Sequence, residues 1–186
     1  MNSVKKNKLL LALFCCLALV QYASGQTYTG KTIKTTIFSS TPIEDIKAAS
    51  YTGVAVLAAQ KQEITLQVAI KSLEFDKKLM QEHFNENYME SDKFPLAKFK
   101  GVIEPKIDWS KDGEYPVTVK GTLLVHGVEK ARIITGKIII KNKVVSISST
   151  FNVACVEHQI KIPSLMFTKI AEIIQVKVQG NLTPLN

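Results

Sequence analysis

The chain has 186 residues, 46% hydrophobic and 22% charged, with a formal net charge of +8. That composition belongs to a globular domain rather than to a disordered or fibrous chain, and a core of this size needs no disulfide or metal to hold it. The basic residues form no block, so the charge gives a modest positive field and no nucleic-acid footprint.

Part of the charge lies in the first 25 residues. Lys5, Lys6 and Lys8 precede an unbroken apolar run from Leu9 to Val20, and Ala23-Ser24-Gly25 offers small residues at the cleavage positions. The pattern predicts a signal peptide over 1–25, cut before Gln26. The run is short for a bilayer span, and Phe14 before Cys15 lacks the small residue that a lipoprotein signal needs. Without this segment the net charge falls to +5 and Cys155 is the one cysteine left, so no internal disulfide forms. Cys155 reads as a packed small residue rather than a nucleophile, since only His158 stands near it in sequence. Residues 26–186 read as a single domain.

Taken in order, Lys31–Phe38 reads as a first strand with Ile33, Thr35 and Ile37 on one side. Thr41-Pro42-Ile43-Glu44 has the residues of a helix start, and Ile43, Ile46 and Lys47 predict a short helix ending near Ser50. Tyr51–Ala59 is a second strand with Val54, Val56 and Ala58 on one face, followed by a polar turn at Gln60-Lys61-Gln62. Glu63–Lys71 alternates most cleanly, with Ile64, Leu66, Val68 and Ile70 on the core side.

A long interruption follows. Phe75, Leu79 and His83 recur every four residues, as do Met80 and Phe84, which predicts a helix over Asp76–Asn87, ended by Asn and Ser-Asp and barred from restarting by Pro95. Alternation resumes over Ala97–Trp109, with Gly101 and Pro105 marking bulges or a bend. Asp112-Gly113 reads as a hairpin turn in which glycine takes a positive φ. Val117, Val119, Gly121, Leu123 and Val125 then share a face, His126-Gly127 turns, Lys130–Ile140 forms a strand, and Lys141-Asn142-Lys143 turns again. Val145, Ile147, Ser149, Phe151 and Val153 alternate. Cys155–Pro163 reads as a loop or kinked strand and Ser164–Ala171 as a turn of helix, and Ile174–Leu182 closes the chain as a strand. The result is an all-β chain of eight strands, mostly joined by short turns, which predicts antiparallel pairing in a barrel or a sandwich.

Three spaced motifs resemble the YceI-like family: HFNENYMESDKFPLAKFKG within Leu79–Gly101, GTLLVHGV at Gly121–Val128, and the pattern from Phe151 to Ile162 with the closing strand. The Thr41–Asp45 run and the Asn-Glu-Asn run resemble its Bacteroidetes branch. The sequence departs from the family pattern at Glu157-His158-Gln159. The resemblance implies a lipocalin-like, eight-stranded antiparallel barrel with a helix between strands 3 and 4 and one or two short helices. It also implies an exported, periplasmic protein, or less readily a secreted one, that binds an amphiphilic lipid such as an isoprenoid quinone or prenyl phosphate, with no cofactor.

An eight-stranded barrel is either filled by side chains or holds one narrow ligand. The mostly branched and small inward set favours an open lumen. Its candidate lining is Ile64, Leu66, Val68 and Ile70, then Val117, Val119 and Leu123, then Ile147 and Phe151. Leu79, Met80, Phe84 and Tyr88 form a candidate lid, and His83 and His126 a polar rim. No two histidines have metal-ligand spacing. Two other readings stay open: an enzyme acting on a lipid phosphate or ester through His83 and His126, and a filled-barrel stress protein, in which a homodimer forms through one edge.

Overall fold

The computed structural model describes residues 26–40, 45–162 and 172–185. The expected signal peptide, the Thr41–Glu44 helix start and the Ser164–Ala171 turn lie outside the described residues.

Among the described residues, nine antiparallel strands form one sheet: β1 (Thr27–Ser40), β2 (Asp45–Ala58), β3 (Glu63–Ala69), the two-residue β4 (Glu74–Phe75), β5 (Leu96–Glu104), β6 (Gly113–Val125), β7 (Val128–Lys141), β8 (Val144–Ala154) and β9 (Ile173–Pro184). The eight long strands run β1-β9-β8-β7-β6-β5-β3-β2, and pairing of β1 with β2 closes them into a barrel, with β4 added to β2. Closure removes the exposed edges that an open sheet would carry. The tight turns lie where glycine, asparagine or a flanking polar residue accepts positive φ: His126 and Gly127 at 51° and 73°, and Asn142 and Lys143 at 50° and 64°. At Gly127 a Cβ would also sit 2.4 Å from the Phe94 ring.

Four local expectations change. Asp45–Ser50 is strand, paired with β1 from Ser40↔Asp45 to Thr35↔Ser50. The spacing of Ile46 and Lys47 that predicts a helix coexists with an alternation through Ile46, Ala48 and Ser50, and sheet closure selects the latter. Further along β2 the inward residues are Ala55 and Leu57, both fully buried, while Val54 and Val56 point outward. Strand β5 ends at Glu104 before a cis proline, so Ala97–Trp109 is not one strand. Gly113 begins β6 rather than forming a turn, and its φ is not among the positive values.

The helix α1 spans only Lys78–His83 and widens into a π-helical turn over Phe84–Tyr88, where the Met89 N–H donates to the Phe84 carbonyl at 2.9 Å. It lies between β4 and β5, across one end of the barrel.

The opposite end is packed. Tyr28, Leu57, Ile103, Ile107, Trp109, Ile140, Val145 and Leu182 belong to one buried cluster. Gln62, read from sequence as part of a polar surface turn, is buried there instead. Its side-chain amide donates to the carbonyls of Ala59 (3.1 Å) and Ile107 (3.0 Å) and accepts from the Ile107 N–H (3.0 Å). These bonds tie the β2–β3 turn to the loop after β5.

Candidate functional site

Above that packed end the lumen is not filled. A cavity of about 190 Å³ is lined by Leu66, Val68 and Ile70 on and beyond β3, Phe99 on β5, Leu123 and Val125 on β6, Phe151 and Val153 on β8, and Val176 and Val178 on β9. Ile33, 1% exposed, belongs both to this lining and to the packed cluster, and so stands between the upper cavity and the packed end. Close approach of two glycines lets β1 press Ile33 inward: a Cβ on Gly53 would lie 2.6 Å from its carbonyl oxygen, and one on Gly180 2.6 Å from its Cδ1. Phe84, Tyr88 and Met89 cover the other side of the cavity.

A second cavity of about 90 Å³ lies lower and is lined by Ile64, Val117, Val119, Ile134 and Ile147 among others. Leu66, Phe99, Phe151 and Val178 face both cavities. The nine lumen residues expected from alternation thus divide between two chambers: Leu66, Val68, Ile70, Leu123 and Phe151 line the upper, and Ile64, Leu66, Val117, Val119, Ile147 and Phe151 the lower.

The four expected lid residues do not stay together. Phe84 and Tyr88 line the upper cavity, but Leu79 is 62% exposed and neither it nor Met80 lines either cavity. His83 points to solvent. The reason is helical phase. A four-residue stripe through Phe75, Leu79 and His83 assumes one continuous α-helix, whereas Phe75 belongs to β4 and the helix begins only at Lys78. Phe75 instead packs on Phe84, with ring centroids 4.8 Å apart.

His126 is not a free rim group. Its Nδ1 lies 3.1 Å from the His158 carbonyl oxygen, its Nε2 2.9 Å from a Glu90 carboxylate oxygen, and the Phe94 ring packs edge-on at 4.5 Å. Both polar partners are acceptors, so the two bonds coexist when both ring nitrogens carry hydrogen. His158, absent from the sequence-based site, is fully buried, and its Nδ1 donates to the Val128 carbonyl at 3.1 Å. Burial pushes its basicity down, with the neighbouring Arg132 guanidinium acting in the same sense. Arg132 in turn pairs with Glu157.

The polar groups of the upper cavity are few. Burial raises the pKa of the Tyr88 phenol above its usual value. The Cys155 thiol is pushed up by burial and by the charge of Glu172, which leaves it a poor nucleophile. Gln67 and Lys98 are a cross-strand pair in the wall. Two other lysines are paired at the surface: Lys100 faces Glu63 at 3.9 Å and Lys111 faces Asp108 at 3.4 Å. Among the described residues no group of three or more His, Cys, Asp or Glu is placed to hold a metal.

Sequence reasoning missed Ile33, Met89, Val176 and Val178 as lining. Three of these stand in alternating runs, so carrying the alternation of β1 and β9 through to the lumen would have found them.

The barrel has close structural counterparts. The crystal structure of Burkholderia cenocepacia BcnA matches with a TM-score of 0.68 at 13% identity, covering 81% of this chain and 96% of that one. A polyisoprenoid binding domain from Saccharophagus degradans, implicated in plant cell wall breakdown, matches with a TM-score of 0.72 at 11% identity, covering 86% and 98%. The Campylobacter jejuni YceI protein matches with a TM-score of 0.55 at 16% identity over 67% and 72%. These identities establish the shared fold. No curated protein matches the sequence. The family model of the YceI-like domain matches residues 25–182, which takes in all but the last two residues of the barrel strands. The chain belongs to the YceI-like family.

Proposed function

We propose that the protein binds the hydrocarbon chain of an amphiphile, isoprenoid-like in shape, inside the upper cavity, as a carrier or a store rather than as an enzyme. The observation that carries this reading is an apolar cavity of about 190 Å³ left unfilled in a barrel whose other end is packed. Close-packed interiors seldom leave voids of that size without use. Each methylene moved into it from water contributes about 0.8 kcal/mol. The wall is mostly Val, Ile and Leu, whose branched surfaces suit a branched chain. The head group sits at the mouth by Tyr88 and Lys98, and the lysine favours a phosphate or a quinone oxygen. The polyisoprenoid binding domain of Saccharophagus degradans, of the same fold, supports this class of tail.

A catalytic role for His83 and His126 has no geometric support, since one is at the surface and the other has both ring nitrogens engaged. Export to the periplasm by a signal peptide over 1–25 is part of the proposal and rests on the residue pattern of that segment.

Native mass spectrometry of protein purified without detergent is the test. A co-purifying lipid, or uptake of an isoprenoid quinone or prenyl phosphate at one per chain, is the expected result. Repeated preparations that carry no lipid and take up neither compound refute the proposal.

A further inference from the structure

The barrel wall is not uniformly laced. Strands β7 and β8 pair from Lys141↔Val144 up to Gly136↔Ser149. Above that point, among the described residues, Val128–Thr135 pairs with β6 and Thr150–Ala154 pairs with β9, but the two do not pair with each other. What joins them there is made by side chains. Ser149 Oγ donates to the Thr135 carbonyl at 2.7 Å at the foot of the seam. His158 Nδ1 donates to the Val128 carbonyl, and Arg132 pairs with Glu157, at its head.

The lower cavity reaches this seam. Its lining includes Ile134, Thr135 and Phe151 at the foot of the unpaired stretch, and Lys137 and Ser148, a registered pair just below it. At the head of the seam stand two large apolar side chains in water, Ile133 at 70% exposure beside Arg132 and Val156 at 77% beside Glu157. They offer an alkyl chain a dry surface next to the opening.

We propose that the seam between upper β7 and upper β8 is a side passage through which the chain of an amphiphile enters and leaves the lumen, latched by the Arg132–Glu157 pair. The proposal rests on the reading of the lumen as a ligand site. Parting the strands here breaks a partly exposed ion pair and three side-chain bonds, including His126 Nδ1 to the His158 carbonyl, instead of a continuous ladder. Passage through the seam also spares the Phe84–Tyr88 cover from moving.

Stopped-flow fluorescence with all-trans-retinol, an isoprenoid alcohol, tests this by reading association and dissociation rates separately. Glu157→Gln releases the latch and is expected to raise both rates several-fold while Kd changes less than twofold, because a passage affects arrival and departure alike. Thr135→Cys with Thr150→Cys, the next pair in register above Gly136↔Ser149, is expected to slow both rates several-fold once oxidised and to restore them on reduction. Retinol binding at unchanged rates in both Glu157→Gln and the cross-linked protein overturns the side passage and leaves the lumen reading standing. Failure of the unmodified protein to bind retinol, a quinone or a prenyl phosphate overturns the lumen reading and the passage with it.

Discussion

The ring of His126 holds the main chain of His158, and the ring of His158 holds the main chain two residues beyond His126: Nδ1 to carbonyl oxygen is 3.1 Å in each case, the second bond ending on Val128. This reciprocal pair fastens the loop after β8 onto the β6–β7 turn, and Glu90 ties the segment after the π turn to the same point. His126→Ala removes two hydrogen bonds and the edge contact with Phe94, and leaves the His158 carbonyl without its donor. The expected loss is about 2 kcal/mol in urea denaturation, with secondary structure retained.

The same geometry sets a pH dependence. The folded state lowers the His158 pKa below the usual histidine value, chiefly by burial. The unfolded chain therefore takes up a proton at a pH where the folded chain does not. Stability from this group is complete above about pH 6.5 and falls as the pH drops through that value toward the folded pKa, below which it levels off. Arg132, Glu157 and the His126–Glu90 pair are the ionisable neighbours. Melting temperature measured from pH 8 down to pH 5 is expected to fall less steeply in His158→Asn, which keeps a donor for Val128, than in the unmodified protein. An equal slope in the two refutes the assignment.

Gln62 is expected to be the costliest polar residue to replace at the packed end. Gln62→Leu strands the N–H and carbonyl of Ile107. The expected cost is about 3 kcal/mol, the sum of two unsatisfied buried groups. Chemical denaturation measures it directly, and a loss below about 1 kcal/mol would show that water replaces the amide.

Tyr28 gives the opposite sign. It is fully buried, and its hydroxyl has no hydrogen-bond partner among the described residues. Tyr28→Phe keeps the ring beside Trp109 and removes the unpaired group, so stability is expected to stay level or rise by about 1 kcal/mol. A marked loss would reveal a bound water serving the hydroxyl.

Within the lumen, Leu123→Trp projects into the upper chamber and is expected to weaken binding of a prenyl phosphate at least about tenfold, or 1.4 kcal/mol. Val119→Trp enters the lower chamber alone and is expected to weaken a short chain less than a long one. Circular dichroism separates both effects from misfolding, since overpacking costs about 1–3 kcal/mol of stability. Equal affinity in all three proteins refutes the assignment of the lumen as the binding site.

How far the residues alone reveal this molecule depends on periodicity. Ile64, Leu66, Val68 and Ile70 repeat every second position, and that repeat survives into the structure because barrel closure enforces one inward face. The His126-Gly127 and Asn142-Lys143 turns were readable because two-residue hairpins demand positive φ. The lid was misphased because the helix begins only at Lys78, so Phe75, the first member of the four-residue stripe, belongs to β4 and sets no phase for Leu79 and His83. In β2 both phases are apolar, and the choice of Ala55 and Leu57 over Val54 and Val56 as inward residues comes from packing at the closed end. His158 and Gln62 are single polar residues in non-repeating segments, and their partners are main-chain groups distant in sequence, which no spacing rule connects.

The packed cluster closes the lumen beneath its two chambers and so limits the length of chain it can seat. Under the proposed function a chain gains with each methylene it seats, and the gain stops where that packing begins. Everything beyond that depth stays at the mouth or turns back on itself. The protein would then act as a gauge, ranking amphiphiles by the length of chain they can submerge before it discriminates among their heads.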